Sequence, residues 1–297
     1  MASWADILNE VNQQADPISF LDEKRISVLQ DISESTDRNV ITYYSGWLKG
    51  TNTEHVSITD DDKNAFMQAV YKLDKTKGLD LILHTPGGDI AATESIIDYL
   101  HSIFNGDIRA IVPQIAMSAG TMIALSSKSI MLGKQSSLGP IDPQIGGVAC
   151  GAVLEEFELA KRDIKNDISS LGLWQVIISK YHPTFLIACS KAQEWSYELA
   201  EKWIKESPNK KTIIDTFTNH TNTKSHNRHI SIDKCKEVGL NIEDMESNHN
   251  LQDLILTLHH CYMILFDKTT IVKAIENNIR ARYFRLFNHV PTTPPVK

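Results

Sequence analysis

The chain has 297 residues, 42% hydrophobic and 23% charged, enough to bury one large core or two smaller ones and too apolar for a disordered polymer. Its 37 acidic against 30 basic residues leave a formal charge of −7, which argues against a broad nucleic-acid footprint. Cys150, Cys189, Cys235 and Cys261 lie far apart with no CxxC pair, so neither a disulfide framework nor a zinc site is expected, and reduced thiols in a cytoplasm are the simpler reading.

The first thirty residues interleave Trp4, Asp6, Glu10, Asp16 and Asp22 with apolar positions, the mark of an N-terminal helical segment over 1–34 and not of a signal peptide. From residue 35 to 150 short β-rich runs alternate with helical periods: Val40 to Tyr44, a helix from Asp60 to Lys77, Leu79 to His84, a helix from Ala91 to Phe104, then Ile108 to Pro113. That rhythm predicts α/β architecture, with βαβ units building a parallel sheet covered by helices. The most apolar stretch, Ile108 to Leu132, is interrupted by Arg109, Pro113, Gln114, Ser126, Ser127 and Lys128, short of the ~20 apolar residues that span a bilayer. It reads as buried core, which leaves peripheral membrane association open. After Gly151 the pattern turns to amphipathic helices, Ala152 to Leu171, Gly172 to Tyr181 and Thr184 to Glu206, with an apolar helix around Leu251 to Phe266. A helical C-terminal part over 151–285 is therefore expected to pack on and complete the core, followed by a flexible tail over 286–297.

The chemistry concentrates in two strand-to-helix turns. Strand Leu79 to His84 ends in Thr85-Pro86-Gly87-Gly88-Asp89, where a Gly-Gly turn lets main-chain amides face developing negative charge. Neither GxxxxGK[ST] nor GxGxxG occurs there, so a phosphate loop is disfavoured. Ile111 to Thr121 is an apolar strand entering a helix through Ala116-Met117-Ser118-Ala119-Gly120, similar to a nucleophile elbow with GxSxG relaxed to AxSxG. Singly, these read equally as a tight turn and a helix N-cap; together, in order and on adjacent strands, they point to an oxyanion site beside a nucleophile.

A serine needs a base, and no histidine lies between His101 and His182. The turn-rich loop Ser136 to Gln144 walls the site, with Asp142 between two prolines either orienting a base or closing a turn. On the helix that follows, Lys161 has Phe157 and Ile164 one turn away, which allows the partial burial a lysine base requires; the alternative is a solvated face on which it pairs with Glu158 or Asp163. His226-Asn227-Arg228-His229 has no carboxylate or cysteine at ligand spacing, so loop ordering is expected there, with no metal and no cofactor.

Together these segments resemble the serine dehydrogenase proteinases, a branch of the SppA-like serine peptidases in the ClpP/crotonase superfamily. The likeness is carried by Thr85 to Asp89, Ala116 to Gly120 and Ser137 to Gln144, then by Ala160 to Ile164, Trp174 to Phe185, His226 to Ser231 and Leu251 to Leu254, spanning roughly residues 35 to 280. It implies a ClpP/crotonase-like spiral of βαβ units with a helical C-terminal elaboration, and peptide-bond hydrolysis through an acyl-enzyme, ATP-independent in this chain. It places the nucleophile at Ser118, oxyanion amides at Gly88 and Ala119 with Gly87 a further candidate, and Lys161 as the base of a Ser-Lys dyad. ClpP carries a histidine just after the next strand; here Gly133-Lys134-Gln135 stands in that place, which removes a Ser-His-Asp arrangement there and leaves Lys134 as an alternative base. A protein or peptide substrate and a homo-oligomer with enclosed sites are implied as well. A crotonase-like acyl-binding enzyme and a non-catalytic peptide-binding scaffold are the other readings of the same cleft.

Overall fold

The computed structural model describes residues 3–50, 53–204, 207–219 and 225–287. The β-rich runs of the first half become β1 (Asn39–Ser45), β2 (Leu79–His84), β3 (Ile108–Val112), β4 (Ile115–Ala116), β5 (Ser129–Leu132) and β6 (Ser137–Leu138), followed by a hairpin of β7 (Gln144–Ile145) and β8 (Val148–Ala149). Four more strands come from the second half: β9 (Ile230–Ser231), β10 (Ile242–Asp244), β11 (Ile271–Asn277) and β12 (Arg282–Leu286). Seven of them form one sheet in the order β10-β5-β3-β2-β1-β11-β12. The five from β10 to β1 run parallel, while β11 and β12 add antiparallel at the β1 edge.

Strands β1 and β2 are buried along their whole length, as central strands must be when helices cover both faces. Because side chains alternate, Ile41, Tyr43, Leu81, Leu83, Ala110 and Val112 join the cluster under α4 (Asp61–Val70), α5 (Ile90–Phe104) and α6 (Ala119–Ser126). Val40, Tyr44, Ile82 and Ile111 face the other way, into α2 (Pro17–Thr36) and a long helix, His249–Lys268. Ahead of α2 stands α1 (Trp4–Asn12), and the short α3 (Thr53–Val56) precedes α4. The remaining helices are α7 (Cys150–Asn166), α8 (Leu171–Ile178), α9 (Phe185–Trp203), α10 (Lys210–Thr218) and α11 (Ile232–Glu237), which makes His249–Lys268 α12.

Two expectations from periodicity change. The helix predicted over Asp60 to Lys77 stops at Val70, with Tyr71 extended and Lys72 at φ 67°. Asp74 accepts from the backbone N–H of Thr76 (3.0 Å) and from its hydroxyl (2.6 Å), a local turn that competes with helix. The second half is also less helical than expected, for it supplies both edges of the sheet. β11 escapes an apolar reading because Lys273 and Glu276 are charged, yet both are buried: Lys273 pairs with Asp62 at 2.8 Å, and Glu276 with Arg25 at 2.8 Å. The tail from residue 288 lies outside the described residues. Among the described residues no helix is long and apolar enough to cross a membrane, and all four cysteines are buried free thiols.

Candidate active site

The site grows from the ends of β2 and β3, stitched together by a small sheet in the order β4-β6-β9. Beyond β2, the Thr85 N–H donates to the Ile115 carbonyl (3.3 Å) and the Met117 N–H to the Thr85 carbonyl (3.0 Å), so the Thr-Pro-Gly-Gly turn lies against the serine turn. On its other side the Ile58 N–H donates to the Gly87 carbonyl (2.8 Å) and the Asp89 N–H to the Ile58 carbonyl (2.9 Å). The glycines are required sterically. A Cβ on Gly87, at φ +96°, would sit 2.7 Å from the Met117 carbonyl oxygen and from Ser118 Cβ, and one on Gly88 would sit 2.2 Å from the Ile58 nitrogen.

The two glycine amides differ. That of Gly87 donates to Thr85 Oγ1 (3.1 Å), so Gly87 contributes close approach while its N–H is engaged. The amide of Gly88 donates to nothing among the described residues. Nor does that of Ala119, the first residue of α6, whose N–H has no partner within its own helix.

Ser118 links β4 to α6 with φ 49° and ψ −116°. The Gly120 N–H donates to the Met117 carbonyl at 2.7 Å, closing a turn whose second position favours glycine. A serine held there stores strain of order 1–3 kcal/mol and persists only when its surroundings over-determine it. They do: α6 is buried from end to end, Gly120 packs on Thr85, and Gly139 packs on Met117. As an N-cap, Ser118 should accept from the first-turn amides, yet its side chain makes no capping bond and no hydrogen bond to any described residue. Its hydroxyl is partly exposed and unengaged.

The loop from Ser136 to Gln144 forms a wall of the site. Ser136 Oγ donates to the Val112 carbonyl (2.6 Å), and the Gly139 N–H donates to Thr121 Oγ1 (2.9 Å) and to the Ala116 carbonyl (3.2 Å). Asp142, 1% exposed, places Oδ1 2.7 Å from His226 Nδ1, so its partner is a histidine and not a lysine. His229 Nδ1 lies 2.7 Å from Ser137 Oγ; each histidine of the 226–229 segment therefore has a protein partner on the loop from Ser136 to Gln144.

The structure thus gathers Ser118, Gly87, Gly88 and Ala119 at one point. Lys161 is on an exposed face of α7: its side chain is 69% exposed and Nζ is 2.6 Å from Glu158 Oε1, itself 64% exposed. Lys134 is exposed as well. Sequence reasoning passed over the role of Thr85, whose hydroxyl locks the glycine turn, and, while assigning the His226 segment to loop ordering, the pairing of His226 with Asp142, 84 residues away, which leaves no local signature. It also passed over His84, the last residue of β2, which is fully buried with both ring nitrogens unpartnered and packs on Trp47 and His259 with ring centroids 4.4 and 5.1 Å apart. Burial, with His259 adding to it, lowers the His84 pKa well below the ordinary histidine value.

The sequence profile of the ClpP-like SDH-type serine proteinases matches residues 17–278. Two proteins of Methanocaldococcus jannaschii are similar in sequence: the uncharacterized protein MJ0137, 29% identical over 243 residues that make up 80% of this chain and 78% of that one, and the uncharacterized protein MJ1495, 31% identical over 62% of this chain and 59% of that one. This chain therefore spans less than two thirds of MJ1495. Among solved structures, a mutant of the 1510-N membrane-bound stomatin-specific protease superposes over 63% of this chain and 74% of that one, at 17% identity and a TM-score of 0.39. With 17–278 of its 297 residues matched, the chain belongs to the ClpP-like SDH-type serine proteinase family.

Proposed function

We propose that this chain hydrolyses peptide bonds in proteins or peptides through an acyl-enzyme on Ser118. The observation that carries the reading is an unengaged hydroxyl in a strained turn at φ 49°, beside the unengaged amide of Ala119 and packed against the glycine turn that carries the unengaged amide of Gly88. A carbonyl drawn into that space meets a nucleophile on one side and two N–H donors on the other, the arrangement that stabilises a tetrahedral oxyanion. Removing one such donor typically costs ~10²–10³ in rate. Gly87, with its own amide engaged, serves by letting the turn approach Ser118.

The family resemblance assigns the proton acceptor to Lys161, in a Ser-Lys dyad. That form of the reading requires the Lys161 ammonium, which is exposed and held by Glu158 in the single chain, to be covered by substrate or by a second copy before it gives up its proton. A homo-oligomer with enclosed sites belongs to the same reading. The test is intact-mass analysis after incubation with a fluorophosphonate serine probe. Wild type is expected to gain one adduct, mapped to Ser118, and folded Ser118→Ala to gain none; a well-folded wild type that never labels would sink the covalent mechanism and favour acyl binding without a covalent step.

A further inference from the structure

We propose that a cavity at the carboxyl end of the sheet is a specificity pocket for the Ser118 site and takes a large apolar or aromatic side chain of the peptide substrate, an assignment that rests on the serine peptidase reading above. The cavity measures about 410 Å³, within the range of sites that enclose a small ligand. Ser45 and Gly46 line it from the end of β1, Leu48 from the helical turn Trp47–Lys49, Gln114 from just past β3, and Met263 and Phe266 from α12. Ligands of open α/β sheets bind outside the carboxyl ends of the strands, and the glycine and serine turns follow β2 and β3 at that same end.

The walls select by chemistry. Trp4, Leu48, Met263 and Phe266 supply apolar surface, and the charged lining residues, Lys49 and Asp267, pair with each other. His259 is buried, with Nδ1 3.5 Å from Tyr44 Oη, and its ring is neutral because burial, with His260 adding to it, pushes its pKa down to about 3. A charged side chain entering here would lose water with no free counter-charge to meet it, whereas an apolar one exchanges water for carbon contacts.

The pocket is continuous with the catalytic turns. Trp47, between the lining residues Gly46 and Leu48, packs on His84 with ring centroids 4.4 Å apart, and His259 packs on the same ring at 5.1 Å. Thr85, the next residue, opens the glycine turn. Gln114 stands four residues before Ser118, at most about 14 Å along the chain. An extended peptide covers that span in about four residues at ~3.3 Å each. The side chain that fills the cavity therefore belongs to a residue within about four positions of the scissile bond, and its burial helps to hold the scissile carbonyl at Ser118.

The experiment digests an equimolar mixture of synthetic peptides, diverse at every position, with the full chain and identifies the cleaved bonds by mass spectrometry, cleavage being counted per Ser118 labelled by the fluorophosphonate probe. Wild type is compared with Leu48→Trp and Met263→Trp, which fill the cavity, and thermal melts verify folding. Leu48 is 52% exposed, so its replacement leaves the core intact and decides the outcome even where Met263→Trp does not fold. Expected in wild type is a preference of about tenfold or more for phenylalanine, tyrosine, tryptophan, leucine or methionine over aspartate and glutamate at one position within four residues of the cleaved bond. That preference is expected to fall about tenfold in each folded variant, since apolar pockets discriminate by ~10–200-fold for a single methylene. A wild type that cleaves with no such preference, or a folded Leu48→Trp that keeps it, overturns the pocket alone. A folded wild type that never labels, or that labels and cleaves no peptide, overturns the peptidase reading and this one with it.

Discussion

Ser118 occupies a backbone conformation that costs a side chain something and a glycine almost nothing. The strain gives a stability signature independent of activity. Ser118→Gly is expected to raise stability by about 1 kcal/mol while abolishing probe labelling, whereas Ser118→Ala abolishes labelling and keeps the strain. Urea unfolding of the two variants side by side checks this, and a Ser118→Gly less stable than Ser118→Ala would show that the turn is relaxed. The glycines differ among themselves in the same physical way. Gly50, at φ +71°, has nothing within 4 Å of where a Cβ would stand, whereas a Cβ on Gly88 collides with the backbone of Ile58. Replacing Gly50 would strain only its own backbone; replacing Gly88 moves the turn.

Helix α12 lays His259 against the end of β2, where His84 is enclosed by Tyr44, Trp47 and His259. Burial, with His260 adding to it, pushes the His259 pKa down to about 3, and burial together with His259 pushes that of His84 well below the ordinary value. Both rings are therefore neutral when folded. Unfolded, each takes up a proton near pH 6.5. The unfolded chain thus binds more protons between about pH 6.5 and pH 3, and stability must fall as the pH is lowered through that window. The slope approaches ~1.4 kcal/mol per pH unit for each histidine. Urea melts at pH 7.5 and 5.5 are expected to show a loss of roughly 1–3 kcal/mol from these two groups, reduced in a folded His259→Gln; an unchanged difference in that variant would place the acid sensitivity elsewhere.

Across the whole molecule, the N-terminal helices are tied to the last antiparallel strands through charge. Arg25 of α2 is fully buried and meets Glu276 of β11 at 2.8 Å and Asp22 at 2.6 Å, while Lys273 reaches Asp62 of α4 from the same strand. Asp80 of β2 accepts from Arg38 (2.8 Å) and Arg109 (2.6 Å), binding the parallel strands to one another at their amino ends, away from the Ser118 turn. Breaking a buried pair leaves a desolvated charge, so Arg25→Ala is expected to cost ~3–5 kcal/mol. Arg280→Ala, whose pair with Glu23 is exposed on both sides, should change the melt little. Equal effects in chemical denaturation would mean that Glu276 finds another partner or water.

What could be read along the chain was local chemistry. β2 and β3 were visible as short apolar runs, the glycine turn and the serine turn as small residues where strand meets helix, and the family from those segments in their order. Each depends on residues within about ten positions, because backbone propensity and turn sterics act over that range. What could not be read was pairing across the chain. β11 hides behind Lys273 and Glu276, whose charges make sense only beside Asp62 and Arg25, 211 and 251 residues away. That the Gly87 amide is engaged and the Gly88 amide is not depends on how the turn seats against Ile58 and Ser118. The exposure of Lys161, and the pairing of Asp142 with a histidine 84 residues further on, follow from how separate segments pack. Composition and spacing carry the polarity of each residue; which charges lose water, and what then compensates them, is set when distant segments close on one another.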